Sequence, residues 1–146
     1  MSVAAVVLSI LAGLAGSIQI AVMGQLGARI GVTAALAFAT MLTAVFAAFV
    51  LLVTRHGLGG YAEAARQPAW LWIGSLAGLL IVGTVTFAGS RIGTAATIGI
   101  LIAGQLAMGA AIDRWGLFGS ERIALSTPRL LGIGLLAVGA ALSLKK

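Results

Sequence analysis

Apolar residues run along the chain in five long blocks, at 3–26, 32–53, 69–88, 92–112 and 128–144. A helical membrane span needs roughly 17–25 such residues, so four blocks qualify comfortably and the last is near the lower limit. None shows the short alternating segments of a membrane barrel. The pattern predicts an all-α membrane protein, a single domain over residues 1–146 with five transmembrane helices. Two connections, at 28–31 and 89–91, are short enough to make helices 1 and 2, and helices 3 and 4, antiparallel pairs. The other two, 54–67 and 114–127, are long enough to lie in the interface. Ser126 or Thr127 can cap the last helix, and Pro128 suits its first position. No basic region precedes the first block and it exceeds the roughly 7–15 residues of a signal core, so it reads as a membrane helix.

The polar positions inside these blocks are few and share faces. In helix 1, Ser9, Gly13, Gly16, Gly24, Gly27 and Gly31 fall within a stripe about 80° wide, a groove for close helix packing. Gln19 flanks it beside Met23, whereas Gln25 points elsewhere. Helix 2 gathers Thr33, Thr40, Thr43 and Thr54 within about 80°, opposite Phe38 and Phe49. Helix 3 aligns Ser75, Leu79, Thr86 and Ser90, with Gly74 and Gly78 on a packing face, and helix 4 aligns Thr94, Thr97, Leu101, Gln105 and Met108. A lone threonine can satisfy itself on its own backbone carbonyl one turn back. Three helices with a weakly polar face, plus two glutamines that are costly in hydrocarbon, predict an uncharged interior cavity. Its expected lining is Gln19, Gln105, Thr40, Thr43, Thr86, Thr97 and Met108.

Composition agrees. The chain is 61% hydrophobic and 8% charged, against about 45–50% and about 25% in soluble domains. It lacks cysteine, which excludes disulfides and thiolate chemistry. The net charge of +6 comes from cations placed singly at helix ends, the pattern of interfacial anchors rather than of a nucleic-acid face. With five spans, one side receives Arg55, Arg66, Arg114, Arg122 and Arg129, and the other Arg29, Arg91, Lys145 and Lys146. Five against four leaves almost no positive-inside bias. Tyr61, Trp70, Trp72 and Trp115 all fall on one side, so an antiparallel dimer would supply aromatic anchors to both interfaces. His56, Glu63 and Glu121 lie in the long connections. Asp113, with Arg114 beside it and Trp115 next, reads as a salt bridge or interfacial anchor. No catalytic set, metal-ligand spacing or phosphate loop is present, so neither an enzyme nor a cofactor is expected.

Three stretches carry a resemblance: Ala103-Gly104-Gln105-Leu106, Ile112-Asp113-Arg114-Trp115-Gly116-Leu117-Phe118-Gly119, and Arg129-Leu130-Leu131-Gly132. With residues 70–74, the Ile92-Gly93 turn and Gln19, they resemble the YdcZ-like family. These are small five-helix members of the drug/metabolite transporter (EamA-related) superfamily. The chain departs from the family pattern at Gln25, usually asparagine, at Gly74-Ser75, usually a glycine pair, and in lacking a proline before the helix 3–4 turn. The resemblance implies a bacterial inner-membrane transporter working as two five-helix halves in opposite orientation. Four-helix multidrug relatives use a glutamate in helix 1; the corresponding region here holds Gly16, Ser17 and Gln19, so proton/cation antiport by that device is not available. The expectation is therefore a secondary transporter of a small neutral or weakly charged metabolite, acting by alternating access. Its expected partners are membrane lipid and a second copy (dual topology) or a paralogue, without nucleic acid. The competing readings are a passive channel and a non-transporting subunit of a heterodimer.

Overall fold

The computed structural model of the protein describes residues 2–144, so Lys145 and Lys146 of the charge tally lie outside the described residues. Among the described residues the regular structure is helical: α1 (Val3–Ile30), α2 (Val32–Arg55), α3 (Gly59–Ala65), α4 (Ile73–Ile92), α5 (Thr94–Trp115) and α6 (Thr127–Leu142). A 3₁₀ turn, Ala69–Trp72, runs directly into α4, and another, Leu117–Gly119, follows α5. Four stretches are long and apolar enough to cross a membrane: Val3–Ile30, Val32–Arg55, Ala69–Ile92 and Thr94–Trp115. α6 is apolar but has 16 residues, about 24 Å of helix against a hydrocarbon core of about 30 Å.

Two glycines make the tight reversals. Gly31 (φ 86°, ψ 150°) separates α1 from α2, and Gly93 (φ 87°, ψ 158°) separates α4 from α5. Side-chain-bearing residues are essentially excluded from that backbone region. Each glycine carbonyl then accepts the first turn's amide, from Ala35 at 3.0 Å and from Thr97 at 3.1 Å. Both turns are preceded by the same dipeptide, Arg29-Ile30 and Arg91-Ile92, so the chain repeats an Arg-Ile-Gly reversal. The second reversal comes two residues later than the polar cluster at 89–91 suggests. α4 carries Ser90 and Arg91 inside its last turn, where a cation is favoured by the negative end of the helix dipole.

The long connection after α2 is not featureless. His56 takes up left-handed backbone at φ 52°, α3 follows, and Trp72 Nε1 donates to the Ala64 carbonyl at 3.3 Å, tying α3 to the start of α4. At α6, Ser126 is the N-cap, but the amides of Arg129 and Leu130 bond its main-chain carbonyl rather than its side chain. Pro128 falls in the first turn, where its missing amide leaves nothing unsatisfied.

Tertiary contacts divide the chain into two compact units, residues 22–90 and residues 1–21 with 91–146. In the first unit Met23, Ala35, Val85 and Thr86 are buried. The second half of α1 lies against α4 at backbone range: a Cβ on Gly27 would stand 2.7 Å from Thr86 Cγ2, and one on Gly24 3.1 Å from the Ser90 nitrogen. In the second unit α5 packs on α6, with Gly99 against Ala140 and Ser143. Small residues at these seams let the helices meet backbone to backbone, which suits a solvent as apolar as the side chains. The large apolar side chains point outward instead; Leu8, Leu80 and Leu135 are 65, 72 and 72% exposed. Such a surface would aggregate in water and is at home in lipid.

Candidate functional site

The two units receive different candidate residues. Thr40, Thr43 and Thr86 belong to residues 22–90; Gln19, Thr97, Gln105 and Met108 belong to the other unit. Every one of these threonine hydroxyls donates to its own helix: Thr40 to the Leu36 carbonyl (2.9 Å), Thr43 to Ala39 (2.9 Å), Thr86 to Val82 (2.7 Å) and Thr97 to Gly93 (2.8 Å). What they can still offer is a lone pair, so toward a ligand they act as acceptors. Thr86 is fully buried with its methyl in the α1–α4 seam, and Thr97 is almost as buried; Thr43 is open and Thr40 half-buried.

The glutamines behave differently. Gln19 and Gln105 are both exposed, on helices of membrane length, and neither amide has a hydrogen-bond partner among the described residues. Met108, one turn beyond Gln105 on α5, is also exposed. The glycines named for packing divide too. Gly24 and Gly27 meet α4 closely, whereas Gly13, Gly16, Gly74 and Gly78 have open space where a Cβ would be.

Two apolar grooves accompany these faces. One, about 360 Å³, lies between α5 and α6, with Ile98, Gly99, Leu135 and Ala140 in its walls; another, about 520 Å³, lies between α2 and α4, with Leu36, Leu76, Gly83 and Phe87. Neither contains a candidate glutamine. Among the described residues no group of three or more His, Cys, Asp or Glu could hold a metal ion.

The charged end of α5 has a partner that sequence reasoning missed. Asp113 forms an ion pair with Arg129 at the start of α6, not with the adjacent Arg114, which is exposed. Neighbours in a helix point about 100° apart, so an adjacent residue is poorly placed to pair. The Asp113 carbonyl also accepts from the Ile123 amide at 2.8 Å, folding the connection back onto α5. Gly116 (φ 64°) makes that fold possible, with the Arg122 stem over the place its Cβ would occupy. Trp115, Trp70 and Trp72 are exposed, as residues at the lipid–water boundary would be. The Asp113 and Arg129 side chains are 25 and 36% exposed, so screening limits the pair's worth. A double-mutant cycle with Asp113→Asn and Arg129→Gln is expected to give a coupling of about 0.5–1 kcal/mol that shrinks in high salt. Thermal unfolding of the four proteins in detergent measures it, and zero coupling at low salt would refute the pairing.

No curated protein and no solved structure matches the chain. The model of the family DMT_YdcZ, described as "Putative inner membrane exporter, YdcZ", matches residues 4–142. That match runs from the first turn of α1 to the last residue of α6, across helices that present hydrocarbon to their surroundings. The chain therefore belongs to the YdcZ family and is a multi-pass inner-membrane transport protein.

Proposed function

We propose that the protein exports a small neutral or weakly charged metabolite by alternating access, as one half of an antiparallel, dual-topology dimer. The observation that carries this reading is the pair of exposed amides, Gln19 and Gln105, on membrane-length apolar helices without partners among the described residues. An amide left in hydrocarbon is costly, so these positions call for a wet cavity, a ligand or another chain. A second copy in opposite orientation provides the two-fold relation that alternating access uses in inverted-repeat transporters. In this reading α6 is the fifth span, placing the termini on opposite sides, and the flat charge tally lets the chain insert both ways. The family description supplies the outward direction.

The chemistry supports a neutral cargo. Gln19, Ser17 and Gly16 occupy the middle of α1, which has no carboxylate, and Asp113 is engaged with Arg129 at a helix end. Gln19 and Gln105 supply directional donors and acceptors, Thr97 adds an acceptor and Met108 a pliable apolar wall. A pore is the weaker reading, because Leu79, Leu101 and Met108 interrupt the polar faces. Saturable flux with counterflow is the carrier's signature, and ohmic single-channel current the pore's.

Orientation is directly measurable. Reporters that are active in only one compartment, fused to the C-terminus, are expected to give signal on both sides of the membrane. Signal from one side alone would remove the homodimer and leave a heterodimer with a paralogue of opposite orientation.

A further inference from the structure

We propose that the corner between α2 and α3 is a seat for the phosphoethanolamine headgroup of a membrane lipid. The corner holds a cavity of about 380 Å³, walled by Leu51, Arg55, Gly57, Gly59, Gly60 and Glu63. Unlike the α5–α6 and α2–α4 grooves, its walls carry charge, and of both signs. Neither Arg55 nor Glu63 forms an ion pair with another described residue.

Depth and charge point to the same occupant. Arg55 is the last residue of the apolar helix α2, and Tyr61, Trp70 and Trp72 stand exposed along the same connection. Aromatic residues of that kind gather at headgroup level. An arginine fork suits a phosphodiester, and a carboxylate accepts N–H bonds from a primary ammonium. The closing carbonyls of α2 put further partial negative charge beside the cation. Leu51, one turn back along α2 from Arg55, gives the cavity an apolar wall against which an acyl chain can start. Three glycines line the opening: a Cβ on Gly57 or Gly59 would stand in open space, and one on Gly60 would lie 3.2 Å from the Leu51 side chain.

These features also discriminate. Phosphatidylglycerol brings the phosphate without an ammonium and leaves Glu63 unanswered. Phosphatidylcholine brings a cation that has no N–H to donate. Of the three, only the ethanolamine lipid answers both charges with hydrogen bonds.

Purified full-length protein in detergent, titrated with the three lipids carrying the same acyl chains and read by native mass spectrometry, tests the assignment. The ethanolamine lipid is expected to bind about tenfold more tightly than the other two. Glu63→Gln should abolish that preference, and Arg55→Gln should weaken all three lipids. Gly59→Leu fills the cavity while sparing both charges, and should lose the ethanolamine lipid selectively. Equal affinities in the unmodified protein, or undiminished binding in Gly59→Leu, overturn the proposal. Soluble glycerophosphoethanolamine at matched concentration is expected not to displace the lipid; displacement would assign the corner to a soluble ligand and overturn the lipid.

Discussion

Gln105→Ala is expected to lower substrate flux by about tenfold, and the Gln19→Ala/Gln105→Ala double variant by about a hundredfold, when each amide contributes a hydrogen bond worth about 1.5 kcal/mol. The reasoning begins with cost. An amide in α5 that finds no partner among the described residues is a burden in an apolar helix, and its removal should leave folding intact or slightly improved. If the amide serves the cargo, stability and transport therefore move in opposite directions. Gln105→Asn, which keeps the chemistry with a shorter reach, should restore part of the flux. If instead the amide only joins two chains, the alanine variant should dissociate the dimer in proportion to its loss of transport. The measurement is substrate-evoked flux in proteoliposomes against a metabolite panel, beside thermal stability and oligomeric state. Unchanged flux in both single variants sinks the site assignment.

Gly27→Ala is expected to destabilise the protein by about 1–3 kcal/mol, the usual cost of forcing extra atoms into a closed contact. The added carbon would stand 2.7 Å from Thr86 Cγ2 and 3.3 Å from the Thr86 carbonyl oxygen. The second neighbour is backbone and the first belongs to a stiff β-branched side chain, so α1 and α4 must part. Thr86→Ser in the same chain removes the offending methyl and keeps the hydroxyl that donates to Val82, and should recover most of the loss. Gly16→Ala is the control. It has nothing within 4 Å and should be silent or, by raising helix propensity, mildly stabilising. Thermal unfolding in detergent reads the three variants against the unmodified protein. A silent Gly27→Ala, or a double variant no better than the single, would show that the α1–α4 seam is not closed.

Much of the architecture was legible because membrane helices announce themselves by run length. The starts of α1 and α2, Val3 and Val32, coincide with the starts of apolar blocks, since a hydrophobic run and a span are nearly the same object. Helix ends were less legible. α1 runs on to Ile30 and α5 to Trp115, past the apolar blocks, because polar and charged residues extend a helix readily until a glycine in unusual backbone stops it. Gly31, Gly93 and Gly116 do so. The repeated Arg-Ile-Gly was visible in the letters, but its meaning lies in a backbone geometry that no hydropathy profile contains.

The candidate site was legible in kind rather than in place. Periodicity set Thr86 and Gln105 in the same class, weakly polar residues on an inward face. Packing separates them: Thr86 is sealed against Gly27 with its hydroxyl turned onto Val82, while Gln105 stays open. Which glycines close a seam was equally beyond periodicity, because the stripe of α1 contains both Gly27, in contact, and Gly16, in space.

The sequence by itself determined the solvent, the place of the long helices and the family, because each depends on local composition or on a contiguous motif such as the Gln105 stretch and the Asp113 end. Tertiary structure alone decided that Asp113 pairs with Arg129 across α5 and α6, that Gly24 and Gly27 meet α4, and that Arg55 and Glu63 share one cavity. These are relations between residues far apart in sequence or on different helices. In a chain whose helices are apolar nearly all round, no hydrophobic face dictates who meets whom, so van der Waals fit at small residues and a few polar pairs make the choice.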